Sequence, residues 1–460
     1  MQYAISNEAI IAQCTPQGSG AIALLRLSGS NVFAIADVIG KLPGNKTISS
    51  QSTHTIHYGW VIDTHGAHID QVLFLLMRAP HTFTGDDTVE ITCHNNPFII
   101  QNIIQTALLA GARMAQEGEF SRRAVSNDKI DIVQAEAIND LINANTQLAL
   151  KQSLSQLAGS FSHWIAGIEK QLIKALALSE ASFEFLDEEN MEFNLQIKEI
   201  IDTVIATIDT LKSTFNQQQQ IRSGIRIAII GSVNAGKSSL FNALLNQERA
   251  IVTNIAGTTR DAIEAGLYKN NNYWTLIDTA GLRTTDDMIE QMGITRSHEQ
   301  AHKADIILLV FDGSQKLSSA ESTVYQELLN NYNEKIIIIT NKADLPQQHN
   351  PLIADQKSYS ACSSNKSSIQ SIETAIQEKI SSLFASIGSP FLLNQRHYNN
   401  LLSLETKLTT ISTTMLCQDI RYELVSYHLN DALTTLSELT GKTISEAGMD
   451  AVFREFCVGK

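Results

Sequence analysis

The chain has 460 residues, of which 43% are hydrophobic and 18% charged, and its formal net charge is −14. This composition is typical of a globular protein and excludes a largely disordered one, and the length predicts about three domains. The acidic charge excludes a general electrostatic attraction to nucleic acid or anionic membrane, so RNA contact would need a local patch or a partner.

The cysteines, the N-terminus and the apolar runs bear on the compartment. Five cysteines are scattered without a C-x-x-C pair, which argues against a disulfide framework or a zinc ribbon. The N-terminus, MQYAISNEAIIAQC, lacks the basic stretch and long apolar run of a signal peptide. Aliphatic runs such as Ile306–Phe311 are strand-sized and too short for a bilayer span. We expect a cytoplasmic protein without stable membrane association.

Short apolar runs broken by Gly, Pro and Asn predict an N-terminal α+β domain over 1–124, with a helix around Phe98–Ala110. Its predicted strands are Ala21–Leu27, Thr55–Ile62, Ile69–Met77 and Thr88–Thr92.

From about Ile130 the chain is rich in Ala, Leu, Gln and Glu, with apolar residues three or four positions apart. That pattern predicts long amphipathic helices, and it resumes at Ile197–Phe215, Leu392–Leu416 and Tyr422–Thr440. We assign 125–223 and 385–460 to one helical domain built from both sides of an insert. The four glutamines at 217–220 are expected to form a linker into that insert.

Between 224 and 384, short apolar strands alternate with helix-length segments, which predicts a parallel sheet covered on both faces. The predicted strands are Ile225–Ile230, Tyr273–Ile277, Asp305–Phe311 and Lys335–Thr340. The fold class is therefore multidomain, α+β and α/β, with the α/β domain inserted in the helical one.

A phosphate-binding motif follows the first of these strands. Gly231-Ser-Val-Asn-Ala-Gly-Lys-Ser238 matches G-x-x-x-x-G-K-S and leads into a helical segment. The glycines let backbone N–H groups surround phosphate oxygens at a helix N-terminus. Lys237 would contact the β- and γ-phosphates, and the Ser238 hydroxyl would bind Mg²⁺.

Three further motifs complete the predicted nucleotide site, one for Mg²⁺ and the phosphates and two for guanine. Asp278-Thr279-Ala280-Gly281 ends a strand where an acidic residue can reach Mg²⁺ through water. Asn341-Lys342-Ala343-Asp344 follows the predicted strand Lys335–Thr340. The Asp344 carboxylate can accept hydrogen bonds from the N1–H and N2–H groups of guanine, which adenine lacks. Ser360-Ala361 suits a backbone contact to guanine O6. Together these motifs predict a GTP hydrolase.

The residue after the DTAG motif is Leu282, where small signalling GTPases commonly have a water-orienting glutamine. Hydrolysis must therefore use another polar group and another positive charge. The candidates are the segment 250–261, with a threonine suited to Mg²⁺, and the downstream carboxylates Asp286, Asp287 and Glu290.

These motifs resemble those of the MnmE (TrmE) family of tRNA uridine-modification GTPases. The resemblance runs along the whole chain and includes TPQGSG, FTGDDTVEITCH, EGEFSRRA, GSVNAGKSSL, IAGTTRD, DTAGLR and the C-terminal FCVGK. It implies a Ras-like P-loop domain, a folate-binding-like N-terminal domain and a role in modifying C5 of the wobble uridine of certain tRNAs. An aminomethyl or carboxymethylaminomethyl group would be added there.

The resemblance also implies how GTP is hydrolysed. K⁺ would be held by Asn234, Thr253, Ile255 and Thr258 in place of an arginine finger, and Thr259 would join Ser238 on Mg²⁺. Glu290 would be the catalytic glutamate, with Lys237 beside the phosphates. The GTP-binding residues would be Asn234, Ala235, Gly236, Lys237, Ser238, Ser239, Thr253, Asn254, Ile255, Ala256, Gly257, Thr258, Thr259, Asp278, Thr279, Ala280, Gly281, Asn341, Lys342, Asp344, Ser360 and Ala361.

The N-terminal domain would, by the same resemblance, form a homodimer and bind a formyl- or methylene-tetrahydrofolate. The folate residues would be Arg26, Glu90, Lys129 and Lys460. Each of these is otherwise an ordinary surface charge. Cys457 of FCVGK would act on the uridine, the alternative being an inert thiol. The expected partners are tRNA and an FAD-containing MnmG-type protein in a hetero-oligomer.

Several alternatives remain open at this stage. A ribosome-assembly GTPase predicts a basic chain with an RNA-binding domain after the G domain, and a dynamin-like GTPase predicts a basic or apolar membrane tip. Four histidines between His54 and His68 suggest either a metal site or a solvated strand hairpin. Arg122 and Arg123 could contact RNA or form a satisfied surface pair. The acidic run Glu184–Glu189 is most simply a polar helix end, with a metal site as the alternative.

Overall fold

A computed structural model describes residues 7–182, 190–245, 263–269, 272–278, 298–362, 365–385, 389–416 and 421–459. The chain divides into two compact units. The first comprises Met1–Asn139, Ser155–Ile205 and Asn399–Lys460, and the second comprises Asp140–Leu154 and Ala206–Tyr398. Within the described ranges, no helix combines the length and apolar character needed to cross a bilayer. The predicted domain boundaries stay a prediction.

The first unit contains a seven-stranded sheet in the order β3-β4-β5-β6-β2-β1-β7. Its strands are β1 (Ile10–Gln13), β2 (Ile22–Ser28), β3 (Gly40–Lys41), β4 (Thr55–Ile62), β5 (His68–Met77), β6 (Thr88–His94) and β7 (Arg113–Met114). Neighbouring strands are antiparallel except β1 and β7. The alternating buried and less buried residues of β5 show that one face packs on a core.

Helices α1 (Val32–Ile39) and α2 (Pro97–Leu109) cover that face. Asn96 caps α2 by accepting from the Phe98 N–H, and Pro97 occupies the first turn, where no N–H partner is needed. Helix α3 (Glu119–Ser126) contributes Phe120 to a smaller cluster with Ile10 and Ala12. The four predicted N-terminal strands and the helix predicted around Phe98–Ala110, which is α2, are confirmed within a few residues. Helices α1 and α3 and strands β1, β3 and β7 were not predicted.

Helices dominate the rest of the first unit and lead into the second. They are α4 (Ile132–Ile142), α5 (Gln147–Leu157), α6 (Ser160–Ala181), α7 (Asn190–Ser213) and α8 (Phe215–Ser223). The predicted linker at 217–220 is wrong, because these glutamines lie in α8. Glutamine is a good helix former, and the buried Gln218 accepts a hydrogen bond from the Leu393 N–H at 2.6 Å.

The second unit contains a six-stranded sheet in the order β13-β12-β11-β8-β10-β9. Its strands are β8 (Ile225–Gly231), β9 (Ile263–Lys269), β10 (Asn272–Asp278), β11 (Ile306–Asp312), β12 (Ile336–Asn341) and β13 (Ser358–Ser360). All neighbours are parallel except β9 and β10. Separate apolar clusters lie on its two faces, which confirms the predicted parallel sheet with both faces covered.

The remaining helices follow these strands or end the chain. They are α9 (Lys237–Leu245), α10 (Ser319–Tyr332), α11 (Lys366–Ala385), α12 (Gln395–Thr414), α13 (Tyr422–Thr440) and α14 (Glu446–Phe453). In the first unit, α6 and α13 pack along their lengths through buried aliphatic residues such as Leu172 and Leu429.

Candidate functional site

The phosphate-binding loop connects β8, in the middle of the second sheet, to α9. Two of its residues have a left-handed backbone, Asn234 with φ 61° and Gly236 with φ 89°. Asparagine tolerates this region better than most residues, and glycine adopts it freely. The loop therefore turns back on itself before α9 begins, and Ser238 and Ser239 lie exposed in the first turn of that helix.

Lys237 is folded onto its own loop. Its Nζ donates to the carbonyl oxygens of Gly231 at 2.9 Å and Ser232 at 2.7 Å, and the residue is only 8% exposed. A buried ammonium must have such partners, because burying it without them costs several kcal/mol. The lysine is thereby held at the inner side of the loop, where the motif predicts phosphate.

The guanine motif contacts the phosphate loop directly. Asn341 ends β12, and its side-chain Nδ2 donates to the carbonyl of Ala235 at 2.8 Å in a buried position. A Cβ at Gly236 would lie 2.1 Å from the same Nδ2, so only glycine leaves room for this contact. Because carboxyl ends of parallel strands share one edge of the sheet, β8 and β12 bring these two motifs together.

Beyond Asn341, the loop is held by Lys342. This residue has φ 60°, and its Nζ lies 2.6 Å from Asp312 Oδ2 at the end of β11. Burial acts to raise the pKa of Asp312, but hydrogen bonds from Lys342 and Ser314 outweigh it and leave that pKa below its usual value. The carboxylate is therefore kept ionised beside the lysine.

The Ser360-Ala361 turn packs against the same loop. The Ala361 N–H donates to the Thr340 carbonyl at 2.8 Å, and the Ala343 N–H donates to the Ala361 carbonyl at 3.0 Å. These bonds place the turn beside Asp344, whose side chain is exposed. The predicted base-reading residues thus lie together at one end of β12 and β13.

Tyr325, a residue of this site that the motifs did not indicate, lies in α10. Its hydroxyl donates to the Val310 carbonyl at 2.8 Å and accepts from the Ser232 N–H at 2.6 Å, so it ties the phosphate loop to β11. Burial raises the pKa of this phenol, which keeps it protonated. No local pattern signals the contact, because Tyr325 is 93 positions from Ser232.

Several predicted residues lie outside the described residues. They are Thr253, Asn254, Ile255, Ala256, Gly257, Thr258, Thr259, Thr279, Ala280, Gly281, Leu282, Asp286, Asp287, Glu290 and Lys460, together with the acidic run Glu184–Glu189. Asp278 ends β10 opposite Ile229 of β8, next to the phosphate loop, and only its backbone is described.

In the first unit, Arg26 and Glu90 form an ion pair. They lie opposite each other on β2 and β6, and Arg26 Nε donates to Glu90 Oε1 at 2.8 Å. The guanidinium also lies 5.5 Å from the ring centroids of Phe83 and Phe120. Cys14 is close by, and burial raises the pKa of its thiol more than Arg26 lowers it. Lys129 instead donates to the Pro80 carbonyl at 2.7 Å.

Cys457 is exposed, and its carbonyl accepts from the Gly118 N–H at 3.4 Å, just before α3. Gly459 follows with φ 99°, and a Cβ there would lie 3.1 Å from the Cα of Cys14. The tail is thus brought to the Cys14 end of β1, near the Arg26–Glu90 pair. The structure does not bring Lys129 into contact with that pair.

Arg122 and Arg123 both have carboxylate partners. Arg122 pairs with Asp450 at 2.6 Å, and Arg123 pairs with the buried Glu119 at 3.0 Å. The expected satisfied pair is therefore present, but it is largely buried and not on the surface, because α3 packs between β1 and the C-terminal residues.

The histidine segment forms the predicted hairpin. Strands β4 and β5 pair antiparallel along it. Strand β4 begins at Thr55, so His54 lies just before it. The His54 Nε2 lies 3.0 Å from the His81 carbonyl oxygen. His57 lies 2.8 Å from the Thr55 hydroxyl and His68 stacks on Trp60, so these rings have local contacts.

Two family models match the chain. The one described as the MnmE helical domain matches residues 132–457, and the one described as the GTP-binding protein TrmE N-terminus matches residues 9–129. Together they span both units.

Curated relatives match almost end to end. A protein of Flavobacterium johnsoniae is 34% identical over 99% of this chain and 100% of its own length. Relatives from Aquifex aeolicus and Bacillus subtilis are 36% and 35% identical, over 99% and 98% of this chain and the whole of each relative. Each of the three is named tRNA modification GTPase MnmE.

Proposed function

The chain belongs to the MnmE family, and we propose that it hydrolyses GTP to drive modification of the wobble uridine in tRNA. One observation carries the GTPase part. The buried bond from Asn341 Nδ2 to the Ala235 carbonyl joins a phosphate-binding loop to a guanine-specific motif at one edge of a parallel sheet. The relatives' names supply the tRNA part.

In the nucleotide complex, the backbone N–H groups between Asn234 and Ser238 would bind the phosphates. Phosphate oxygens would replace the Gly231 and Ser232 carbonyls as acceptors for Lys237, since an anion is a stronger acceptor than a neutral carbonyl. The exposed Ser238 hydroxyl fits a Mg²⁺ ligand, with Thr259 as a second one and Asp278 acting through water. Mg²⁺ would neutralise charge that develops on the phosphates.

Guanine selectivity would come from Asp344 and the Ser360-Ala361 turn. The Ala343–Ala361 hydrogen bond holds the turn beside the carboxylate, so acid and backbone face the same base. A site that accepts two N–H groups from guanine leaves a carboxylate unpaired with adenine, which penalises ATP strongly.

Potassium is proposed as the positive charge that replaces an arginine finger. Asn234 supports this, since it lies exposed in the phosphate loop and carries an amide oxygen that can bind a cation. Thr253, Ile255 and Thr258 would complete the site, and Glu290 would orient the attacking water.

Hydrolysis rates of the purified full chain in KCl and NaCl test this proposal. We expect GTP turnover at least tenfold faster in KCl, because K⁺ would stabilise transition-state charge. Equal rates in the two salts would contradict the potassium site. Absence of turnover in both salts with Mg²⁺ and GTP would contradict the GTPase itself.

The first unit would bind a formyl- or methylene-tetrahydrofolate at the Arg26–Glu90 pair. A guanidinium and a carboxylate at 14–20% exposure can each contact a polar ligand while remaining paired. Lys129 and Lys460 would complete the site. Cys457, exposed on the tail, would act on the uridine, and an FAD-dependent MnmG-type partner and tRNA would join in the cytoplasm.

A homodimer is proposed through the sheet face that α1 and α2 leave uncovered. Ile56 and Tyr58 of β4, Leu73 of β5 and Ile22 of β2 are 41–63% exposed. These apolar side chains lie on one face of the sheet, with β6 between β5 and β2, and monomeric proteins seldom leave such a patch in water.

Substitution of Leu73 by Asp tests this dimer. We expect the full chain to sediment as a monomer, because the carboxylate would be buried in an apolar interface. Leu109→Asp, on a more exposed apolar residue at the end of α2, is the control and should leave the mass unchanged. A Leu73→Asp protein with unchanged mass would contradict this interface.

A further inference from the structure

The segment from Ser445 to Gly459, here called the C-terminal segment, is built to dock on the N-terminal part of the first unit. Ser445 caps α14 by accepting from the Gly448 N–H. Phe453 and Phe456 are 2% and 4% exposed, with ring centroids 5.1 Å apart. Burial of two aromatic side chains is strongly favourable, which explains why this segment packs against the protein.

A glycine at the start of α3 permits this close approach. Gly118 has φ 63°, and a Cβ there would lie 2.8 Å from the Phe453 carbonyl and 3.0 Å from the Cβ of Phe456. Val458 then pairs with Glu117 in an antiparallel bridge. The backbones of α3 and the C-terminal segment are thus in direct contact around Cys457.

One ion pair joins the two helices one turn further on. Arg122 lies in α3, where its N–H donates to the Gly118 carbonyl at 2.9 Å. Its Nη1 lies 2.6 Å from Asp450 Oδ1 of α14, with the two side chains 13% and 28% exposed. Among the described residues, the Arg122 Nε is buried without a hydrogen-bond partner. The guanidinium therefore depends strongly on Asp450, since a desolvated charge that loses its partner is costly.

The segment ends beside the polar pair of the first sheet. A Cβ at Gly459 would lie 2.3 Å from the Gln13 carbonyl and 3.1 Å from the Cα of Cys14. Cys14 in turn lies in the electrostatic field of Arg26 and Glu90. Any shift of α14 along α3 would therefore move Cys457 relative to the Arg26–Glu90 pair.

We propose that Arg122 and Asp450 are positioning residues that fix the register of the C-terminal segment on α3 and so set the place of Cys457 at the Arg26–Glu90 site. The consequence for tRNA chemistry rests on the proposed function, whereas the consequence for the segment does not. The aromatic residues stabilise the docked segment but do little to fix its register on α3, because apolar contacts are non-directional. The ion pair supplies the direction.

The test reverses each charge and then exchanges both. The variants are Arg122→Glu, Asp450→Arg and the double variant, in the full chain, with amide hydrogen exchange read on the peptide from 453 to 460. Each single reversal places like charges together, so we expect roughly tenfold faster exchange, and the exchanged pair should recover most of the protection. Arg454→Glu, the same charge change at an exposed position of the segment, is the matched control and should leave exchange unchanged.

Modified wobble uridine is measured in the same variants. It should fall with each single reversal and recover in the exchanged pair, while GTP turnover stays unchanged because the phosphate loop belongs to the second unit. A general loss of folding would lower GTP turnover together with modified uridine, whereas loss of positioning lowers modified uridine alone. If a charge-reversed variant does not fold, Asp450→Asn replaces it. This substitution removes the charge but keeps the shape of the side chain, and it should increase the amide exchange rate by a smaller factor.

Unchanged exchange in the single variants, or no recovery in the exchanged pair, would overturn the proposal. Loss of protection with recovery supports it even if the wild-type protein modifies no tRNA. A wild-type protein that modifies no tRNA would overturn the proposed function and not the role of this ion pair, so the two failures are distinguishable.

Discussion

The two sheets of this protein present their polar residues in opposite ways. In the second unit, both faces of the parallel sheet are covered, and the polar residues of the site lie in loops after β8, β12 and β13. In the first unit, the antiparallel sheet keeps one face partly open, and Arg26 and Glu90 lie in the middle of β2 and β6. A doubly covered sheet leaves only its strand ends for ligands, whereas a half-open sheet can use its face.

In the second unit, ligand binding depends less on the residues that stabilise the fold than it does in the first unit. Loop residues such as Asp344 contribute little to the core, so they can be changed with small effects on folding. The open face of the first sheet instead depends on distant segments, since α3 and the C-terminal segment pack beside it through Glu119, Arg122 and Arg123. Substitutions there should alter stability and positioning together.

The largest expected effect is at Asp344. Asp344→Asn should lower the affinity for GTP about a thousandfold, because the amide cannot accept from both guanine N–H groups. The free energy of unfolding without nucleotide should stay within about 0.5 kcal/mol of wild type, as for other exposed positions. Titration with a fluorescent GTP analogue and chemical denaturation measure the two quantities.

Asp355→Asn, the same change at an exposed aspartate outside the base-reading loop, is the control. Equal GTP affinities in Asp344→Asn and wild type would contradict the proposal that the loop after β12 binds guanine.

Gly236→Ala tests the contact between the phosphate loop and Asn341. The new Cβ would overlap Asn341 Nδ2 and impose a left-handed backbone on alanine, which together cost about 3 kcal/mol. GTP affinity should fall about a hundredfold, since a 1.4 kcal/mol difference is tenfold. Calorimetric titration with GTP measures it.

Gly66→Ala separates strain from overlap. Gly66 also has a left-handed backbone, φ 81°, but a Cβ there would meet open space. We expect about 1 kcal/mol of destabilisation and unchanged GTP affinity. Tight GTP binding by Gly236→Ala would contradict the contact between the phosphate loop and Asn341.

The smallest effect concerns Glu119, which is 8% exposed and pairs with Arg113 and Arg123. Burial acts to raise the pKa of this carboxyl, but the hydrogen bond from Arg113 and its other partners outweigh burial and lower it below 4.5. Glu119→Gln should therefore destabilise the first unit by about 2 kcal/mol at pH 7, because Arg113 and Arg123 each lose one carboxylate partner and keep only Glu8 and Asp86, respectively.

The pH dependence follows from the lowered pKa. The charged glutamate stabilises the folded state above the ordinary pKa of 4.5, and this contribution is lost as pH falls through the folded pKa. The difference in unfolding free energy between wild type and Glu119→Gln should therefore shrink below about pH 4.5. Glu117→Gln, at an exposed side chain, is the control, and a difference independent of pH would contradict the ion pairs.

Much of the nucleotide site could be predicted because its motifs are local. Gly231 to Ser238 and Asn341 to Asp344 each form one turn after one strand, so spacing alone gives their roles. The apolar runs likewise predicted β8, β10, β11 and β12, but not β9, which pairs antiparallel with β10. Even there, Tyr325 and Asp312 were missed, since each contacts its loop across a long stretch of sequence.

The first unit was harder to predict because its contacts are non-local. Arg26 and Glu90 are 64 positions apart, and nothing in either strand indicates that they pair. The Arg122–Asp450 pair spans most of the chain, so it follows from the packing of α14 on α3 and not from any motif. The glutamines of α8 were mistaken for a linker because low sequence complexity was weighed above helix propensity.

Nucleoside mass spectrometry of tRNA tests the central claim most directly. Cells lacking this gene would be complemented with the wild-type chain, Asp344→Asn or Asp355→Asn. We expect C5-modified wobble uridine with the wild-type chain and Asp355→Asn, and unmodified uridine in the deletion and with Asp344→Asn. Equal amounts of modified uridine in all four strains would contradict the coupling of GTP hydrolysis to tRNA modification.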